Sequence, residues 1–163
     1  MPPELSAFHD AVSAISYPMA VVTTTVNGER SGCLVGFHTQ CSIDPPRYLV
    51  CVSHTNHTFG LARHARHLAV HLLDITDRAL AELFGEETGD KVDKFAHCRW
   101  LEGPFGLPVL ADPPAWFAGP VLSVTEVGDH SAFVIDPAEG TTRGPLHQLA
   151  FQDVRGMRPG HPA

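Results

Sequence analysis

The sequence predicts a mainly β protein, an antiparallel six-stranded barrel with short peripheral helices. Three observations carry this reading. About six runs of the chain are rich in β-branched and aromatic residues, the types that suit a pleated, half-buried surface. Asn27-Gly28 separates two such runs by two residues, a strong hairpin signal, because a type I′ turn needs positive φ at both positions. The runs do not alternate regularly with long helices, so a parallel βαβ sheet is disfavoured.

Taken in chain order, Leu5, Phe8, Val12 and Ile15 repeat at helical spacing. They predict an amphipathic helix over 4–16, whose apolar stripe would cover one end of the barrel. Tyr17-Pro18 ends it, since the residue before proline is pushed out of the helical region. A strand follows over 19–26, and a second runs from the Asn27-Gly28 turn to Phe37. Asp44-Pro45-Pro46 is a hard break before a buried strand at 47–53. Residues 57–65 read as a short helix and 67–73 as a strand. A helix at 76–84 buries Leu80, Leu83 and Phe84 and stops near Gly85. Another short helix is expected at 90–97. A long strand over 115–127, interrupted at Gly119-Pro120, pairs with 130–135 across Gly128-Asp129. Residues 149–154 read as a closing strand and 156–163 as a frayed tail. No repeat or linker divides the chain, so 1–163 is expected to be a single domain.

Composition narrows the function. The 163 residues are 44% apolar and 18% charged, enough to bury a core without disulfides. A formal net charge of -7 argues against nucleic acid as a partner. Glu4 and Asp10 interrupt the N-terminal region and no basic segment precedes it, so no signal peptide is expected. No run approaches the roughly 18 apolar residues of a membrane span. Cys33, Cys41, Cys51 and Cys98 form no CxxC and fit free thiols, so a cytoplasmic location is expected.

The chain has no GxGxxG, P-loop, GxSxG or HExxH motif. The informative stretch is Cys33 to Phe59. There a strand ends in Gly36-Phe37-His38-Thr39, a Ser42-to-Pro46 turn follows, and a second strand leads into the polar segment 53–58. Asn56 suits a helix N-cap, and the free N–H groups of a helix start suit a phosphate. Capping alone also accounts for Asn56 and Thr58.

These residues, with Tyr17-Pro18, Ala20 to Thr24, Asn27-Gly28, the Ser-Ile-Asp-Pro-Pro segment 42–46, the strand 49–53 and the Gly128-Asp129-His130 step, resemble the flavin reductase-like family of FMN-binding split barrels. The resemblance spans about residues 14 to 155. It implies a six-stranded split barrel and a homodimer holding FMN or FAD in a groove, with NADH or NADPH as co-substrate. It implies that Leu34, Val35, Gly36, Phe37, His38 and Thr39 meet the flavin ring edge and ribityl chain. Ser53, Asn56, His57 and Thr58 would meet the phosphate, and Lys94 would approach it. A monooxygenase partner would consume the reduced flavin. Many members carry Asn-Ser where this chain has Gly36-Phe37, which leaves the identity of the flavin open and keeps a deazaflavin in view.

Direct hydride transfer asks the protein for stacking, orientation and local charge. His130 is the candidate catalytic residue, orienting the nicotinamide or stabilising charge; it also reads as a turn histidine bonded to Asp129. A non-catalytic flavin- or haem-binding carrier is the alternative class. His64, His67 and His71 would align for a metal on one unbroken helix, but the run after His67 reads as strand, so no metal site is expected. Trp100, Trp116 and Phe117 suit core or interface better than a flavin stack.

Overall fold

The computed structural model describes residues 3–86 and 92–157. Helix α1 (Pro3–Ser13) precedes the hairpin β1 (Ala20–Val26) and β2 (Glu29–Val35). Asn27 and Gly28 take φ of 52° and 81°, the left-handed pair that a two-residue turn demands. Then come β3 (His38–Ser42), β4 (Arg47–Ser53), α2 (His57–Ala62), β5 (His67–Leu72) and α3 (Arg78–Glu86). A small hairpin, β6 (Trp100–Glu102) and β7 (Pro108–Leu110), leads to β8 (Ala115–Glu126), β9 (His130–Ile135), β10 (Glu139–Thr142) and α4 (Phe151–Val154).

The main sheet is antiparallel and runs β2-β1-β5-β8-β9-β4-β3, with β10 beside β8. Its first and last strands are joined by two residues, Gly36 and Phe37, so the sheet curls back on itself. Strand β8 serves both halves: Ala115 to Pro120 pairs with β5, and Val121 to Glu126 pairs with β9. Just before the switch, at Gly119, an added Cβ would overlap the Asp136 carbonyl oxygen of the chain passing over it.

Strand alternation sorts the core into two layers. Ala20, Val22, Cys33, Val35, Val50, Val52, Leu68, Val70, Phe133 and Ile135 fill the curl. Met19 and Val21 face outward against Leu73, Leu80, Ala81, Phe84 and Leu149. Strand β1 is therefore buried on both faces, which is why its sequence is continuously apolar or β-branched. Thr23 and Thr24, also buried, donate their hydroxyls to the Pro108 and His67 carbonyls at 2.6 and 2.9 Å. Buried His71 joins three strands: it bonds the Val21 carbonyl through Nδ1 and accepts the Leu110 N–H at Nε2, each at 3.0 Å.

Several expectations are corrected. The sheet path has seven strands plus β10, not six, because the run to Phe37 turns a corner and continues as β3. Residues 149–154 do not form a closing strand. Only the isolated bridge Pro18–Ala150 lies there, and the chain then turns into α4, where the Asp153 carboxylate accepts the Ala150 N–H at 2.9 Å. The N-terminal helix stops at Ser13, and of its expected apolar stripe Leu5, Phe8 and Ile15 are exposed while Val12 is half-buried. The 90–97 helix reduces to a 3-10 turn at Lys94–His97, with residues 90 and 91 outside the described part. No helix among the described residues is long and apolar enough to cross a membrane.

Candidate functional site

The corner between β2 and β3 borders a cavity of about 520 Å³, a size suited to a small molecule or cofactor. Leu34, Val35, Gly36 and Phe37 form one wall, and Cys51, Val52 and Ser53 at the end of β4 form another. The Cys51 N–H donates to the Phe37 carbonyl at 2.8 Å, fastening the corner to β4. Ser53 pairs in register with His130, so the turn before β9 delivers the imidazole to the same end of the curled sheet. Tyr17 and Met19 enter from the strap before β1, His9, Val12 and Ser13 from α1, and Phe151 and Arg155 from the C-terminal segment.

Phe37 is half-exposed at the rim, with its ring 5.2 Å from His130 and 5.8 Å from Tyr17. A polar residue here would offer a hydrogen bond; Phe37 offers an aromatic face. His130 bonds the Asp129 carboxylate through Nδ1 at 2.7 Å. That hydrogen bond, then the imidazole's charge, holds the Asp129 carboxyl below its ordinary range. The ring thus has its Nδ1 tied down, while Nε2 has no hydrogen-bond partner among the described residues. The turn contact and the place on the cavity wall are both present in one side chain.

Of the residues singled out by sequence, Leu34, Val35, Gly36, Phe37, Ser53, Asn56 and His130 surround the cavity. The others do not line it. Asn56 also caps α2, accepting the Thr58 N–H at 2.9 Å. Thr58 is buried behind it, its hydroxyl 2.8 Å from Ser31 Oγ. His57 faces outward to Glu29 at 4.0 Å. Thr39 is exposed, and its hydroxyl donates to the Gln40 carbonyl at 3.1 Å.

His38 bridges the Tyr48 hydroxyl (2.6 Å) and the Pro18 carbonyl (2.5 Å). Burial lowers its pKa, so the neutral ring donates from Nε2 and accepts at Nδ1. The same burial pushes the Tyr48 phenol up to about 12, which keeps its proton available for that bond.

Lys94 is buried and does not line the cavity. Its Nζ donates to the Gly32 and Phe84 carbonyls at 3.2 and 3.0 Å. Among the described residues no group of three His, Cys, Asp or Glu is arranged to hold a metal. His71 is committed to its strand bonds and His67 stacks on Phe105 at 4.1 Å. Trp100 donates to the Phe95 carbonyl, and Phe117 packs on Tyr48.

Sequence reasoning missed Cys33, Cys51 and Val52, which register along β2 and β4 would have found beside the chosen residues. It also missed Tyr17, Met19, Phe151 and Arg155, which are brought together by tertiary bonds. The Met19 N–H donates to the Leu149 carbonyl at 2.7 Å and the Phe151 N–H to the Tyr17 carbonyl at 2.6 Å.

A curled antiparallel sheet whose cavity joins apolar strand walls to a few polar groups suits an amphiphilic small molecule. Residues 12–160 match the family described as flavin reductase like domain, and the chain belongs to that family. It is 32% identical over 123 residues to a stachydrine N-demethylase reductase subunit of Rhizobium meliloti (strain 1021), covering 73% of this chain and 52% of that protein. It is 28% identical over 145 residues to an FMN reductase (NADH), RutF, of Enterobacter sp. (strain 638), covering 89% and 87%. The chain thus spans about half the length of the first relative and most of the second. The fold resembles that of a Streptomyces globisporus C-1027 NADH:FAD oxidoreductase solved with NAD and FAD fragments. That likeness has a TM-score of 0.81 at 22% identity, over 92% of this chain and 89% of the other.

Proposed function

We propose that this chain is an NADH- or NADPH-dependent flavin reductase acting on FMN or FAD as a single split-barrel domain. The observation that carries the reading is the cavity of about 520 Å³ at the β2–β3 corner, bounded by Leu34 to Phe37, Ser53, Asn56 and His130 in a chain of this family. The residues fit a flavin: Val35, Val52, Met19 and Tyr17 offer apolar surface, and Ser53, Asn56 and Arg155 offer polar groups. A flavin bound here supplies the hydride acceptor. The protein's part is orientation and exclusion of water. Phe37 and Tyr17 shape the rim against which a nicotinamide would lie. His130, with Nδ1 fixed by Asp129, would offer Nε2 to the carboxamide or to developing negative charge.

A homodimer, a partner oxygenase and a cytoplasmic setting belong to the same proposal. The first relative's name as a reductase subunit supports a partner, and four free cysteines suit a reducing compartment. The test is a visible spectrum of the protein with FMN, then with NADH under anaerobic conditions. Perturbation and bleaching of the flavin band is the expected result; no perturbation by FMN or FAD would sink the reading. Bleaching no faster than in free solution would favour a carrier instead. Replacing His130 with Ala is expected to cut NADH oxidation about tenfold, the scale of one charge-assisted hydrogen bond. An unchanged rate would remove His130 from the mechanism.

A further inference from the structure

We propose that Arg155 is the cation that receives the phosphate ester of the bound flavin, the part that sequence reasoning gave to Lys94. This rests on the flavin reading above. A flavin phosphate carries close to two negative charges at neutral pH, and the protein itself has a net charge of -7. Such a ligand needs a local positive charge. Among the described residues lining the cavity, Arg155 is the sole lysine or arginine. Lys94 is absent from the lining and spends its ammonium on buried carbonyls.

The position of Arg155 matches the shape of the ligand. A smaller cavity of about 280 Å³ lies beside the main one. Met19, Leu34, Asn56, Phe151 and Arg155 border both. Phe37 and His130 border only the larger one. The aromatic rim is therefore confined to the larger space, and Arg155 lies on the wall that the two share. A flavin mononucleotide likewise carries its ring at one end and its charge at the other.

The guanidinium is available for this role. Its hydrogen bond is to Gln152 Oε1 at 3.3 Å, and it has no carboxylate partner among the described residues. Its planar fork of N–H donors matches phosphate oxygens in pairs. The backbone beneath it is seated: the Phe151 N–H donates to the Tyr17 carbonyl, Arg78 donates to the Asp153 carbonyl, and the Gln152 N–H reaches Ser16 Oγ at 3.3 Å.

The nicotinamide dinucleotide also carries phosphate, so the experiment must separate the two sources. Flavin fluorescence titrations without nicotinamide would compare FMN with riboflavin, which lacks the phosphate, on wild type, Arg155→Gln and Arg155→Lys. The expected result is an FMN Kd raised at least about tenfold in Arg155→Gln, riboflavin changed less than about twofold, and partial recovery in Arg155→Lys. Equal weakening of FMN and riboflavin would overturn the assignment, because a structural defect acts on both. Unchanged FMN binding with a raised KM for NADH would also overturn it, moving Arg155 to the nicotinamide's pyrophosphate. If wild type bound neither flavin, the reductase reading itself would fall, an outcome distinct from these two.

Discussion

Buried His71 should make this protein acid-sensitive in a defined window. The ring is fully enclosed, bonds the Val21 carbonyl, and accepts the Leu110 N–H, so the neutral form is the one that fits. Burial lowers its pKa from 6.5 to about 4, against a smaller upward pull from the Val21 bond. In the unfolded chain the ring protonates near its ordinary value. As pH falls through that value, the unfolded state takes up the proton first, and stability drops until the folded pKa is reached. A difference of about 2.5 pKa units at about 1.4 kcal/mol each gives about 3 kcal/mol, complete above pH 6.5 and lost by about pH 4. Other groups titrate in the same range, so the measurement is a difference between two proteins. His71→Leu leaves the Leu110 N–H and Val21 carbonyl without their partner, which costs about 2–4 kcal/mol at pH 8. Urea unfolding of wild type and His71→Leu at several pH values between 8 and 4 should show that gap closing as the pH falls. A gap that stays constant over this range would refute the reasoning, because the imidazole would then not be held neutral.

Two further substitutions test features of the fold and site. Gly119→Ala should destabilise by about 3 kcal/mol or more, a Tm drop of roughly 6–12 °C, since its Cβ would collide with backbone that has no room to shift; a Tm within a degree or two of wild type would show that the crossing is loose. Lys94→Met should lower stability by about 1–3 kcal/mol by stripping a donor from two buried carbonyls, while FMN affinity of the folded protein stays within about twofold. The reverse pattern, with affinity lost and stability kept, would return Lys94 to the phosphate.

The long paired strands were legible in the sequence because burial on one or both faces imposes their residue types. Asn27-Gly28 marked the β1–β2 turn, and Gly128-Asp129 marked the one before β9. What escaped was structure without an apolar signature. Strand β3 is His-Thr-Gln-Cys-Ser and β10 is Glu-Gly-Thr-Thr, each lacking a buried position. Strands β6 and β7 are three residues each, held to the barrel by Thr23 and His71 rather than by a pattern of their own. Helix α4 reads as strand in the sequence because Leu149, just before it, and Val154, its own buried residue, fit either period over so short a run.

The cavity divides the same way. Leu34 to Phe37, Ser53 and His130 lie at strand ends beside recognisable turns. Arg155 sits at the far end of the chain and reaches the cavity through backbone bonds from Leu149 to Met19 and from Phe151 to Tyr17. No local spacing encodes a contact across 130 residues or more.

The two shared strands also bear on how the molecule comes apart. Strand β8 pairs with β5 through one half and β9 through the other, and the β2–β3 chain passes from one sheet edge to the opposite edge through two residues. Neither half of the barrel owns a complete set of strands. Detaching one half would strip partners from the other, so partial opening gains little chain entropy for the hydrogen bonds it sacrifices. Amide protons of β1, β5, β8 and β9 should therefore exchange in a single global event. The segments that border the cavity from outside the curled sheet, α1 and α4, share no strand pairing with it, so their amides should exchange independently of that event.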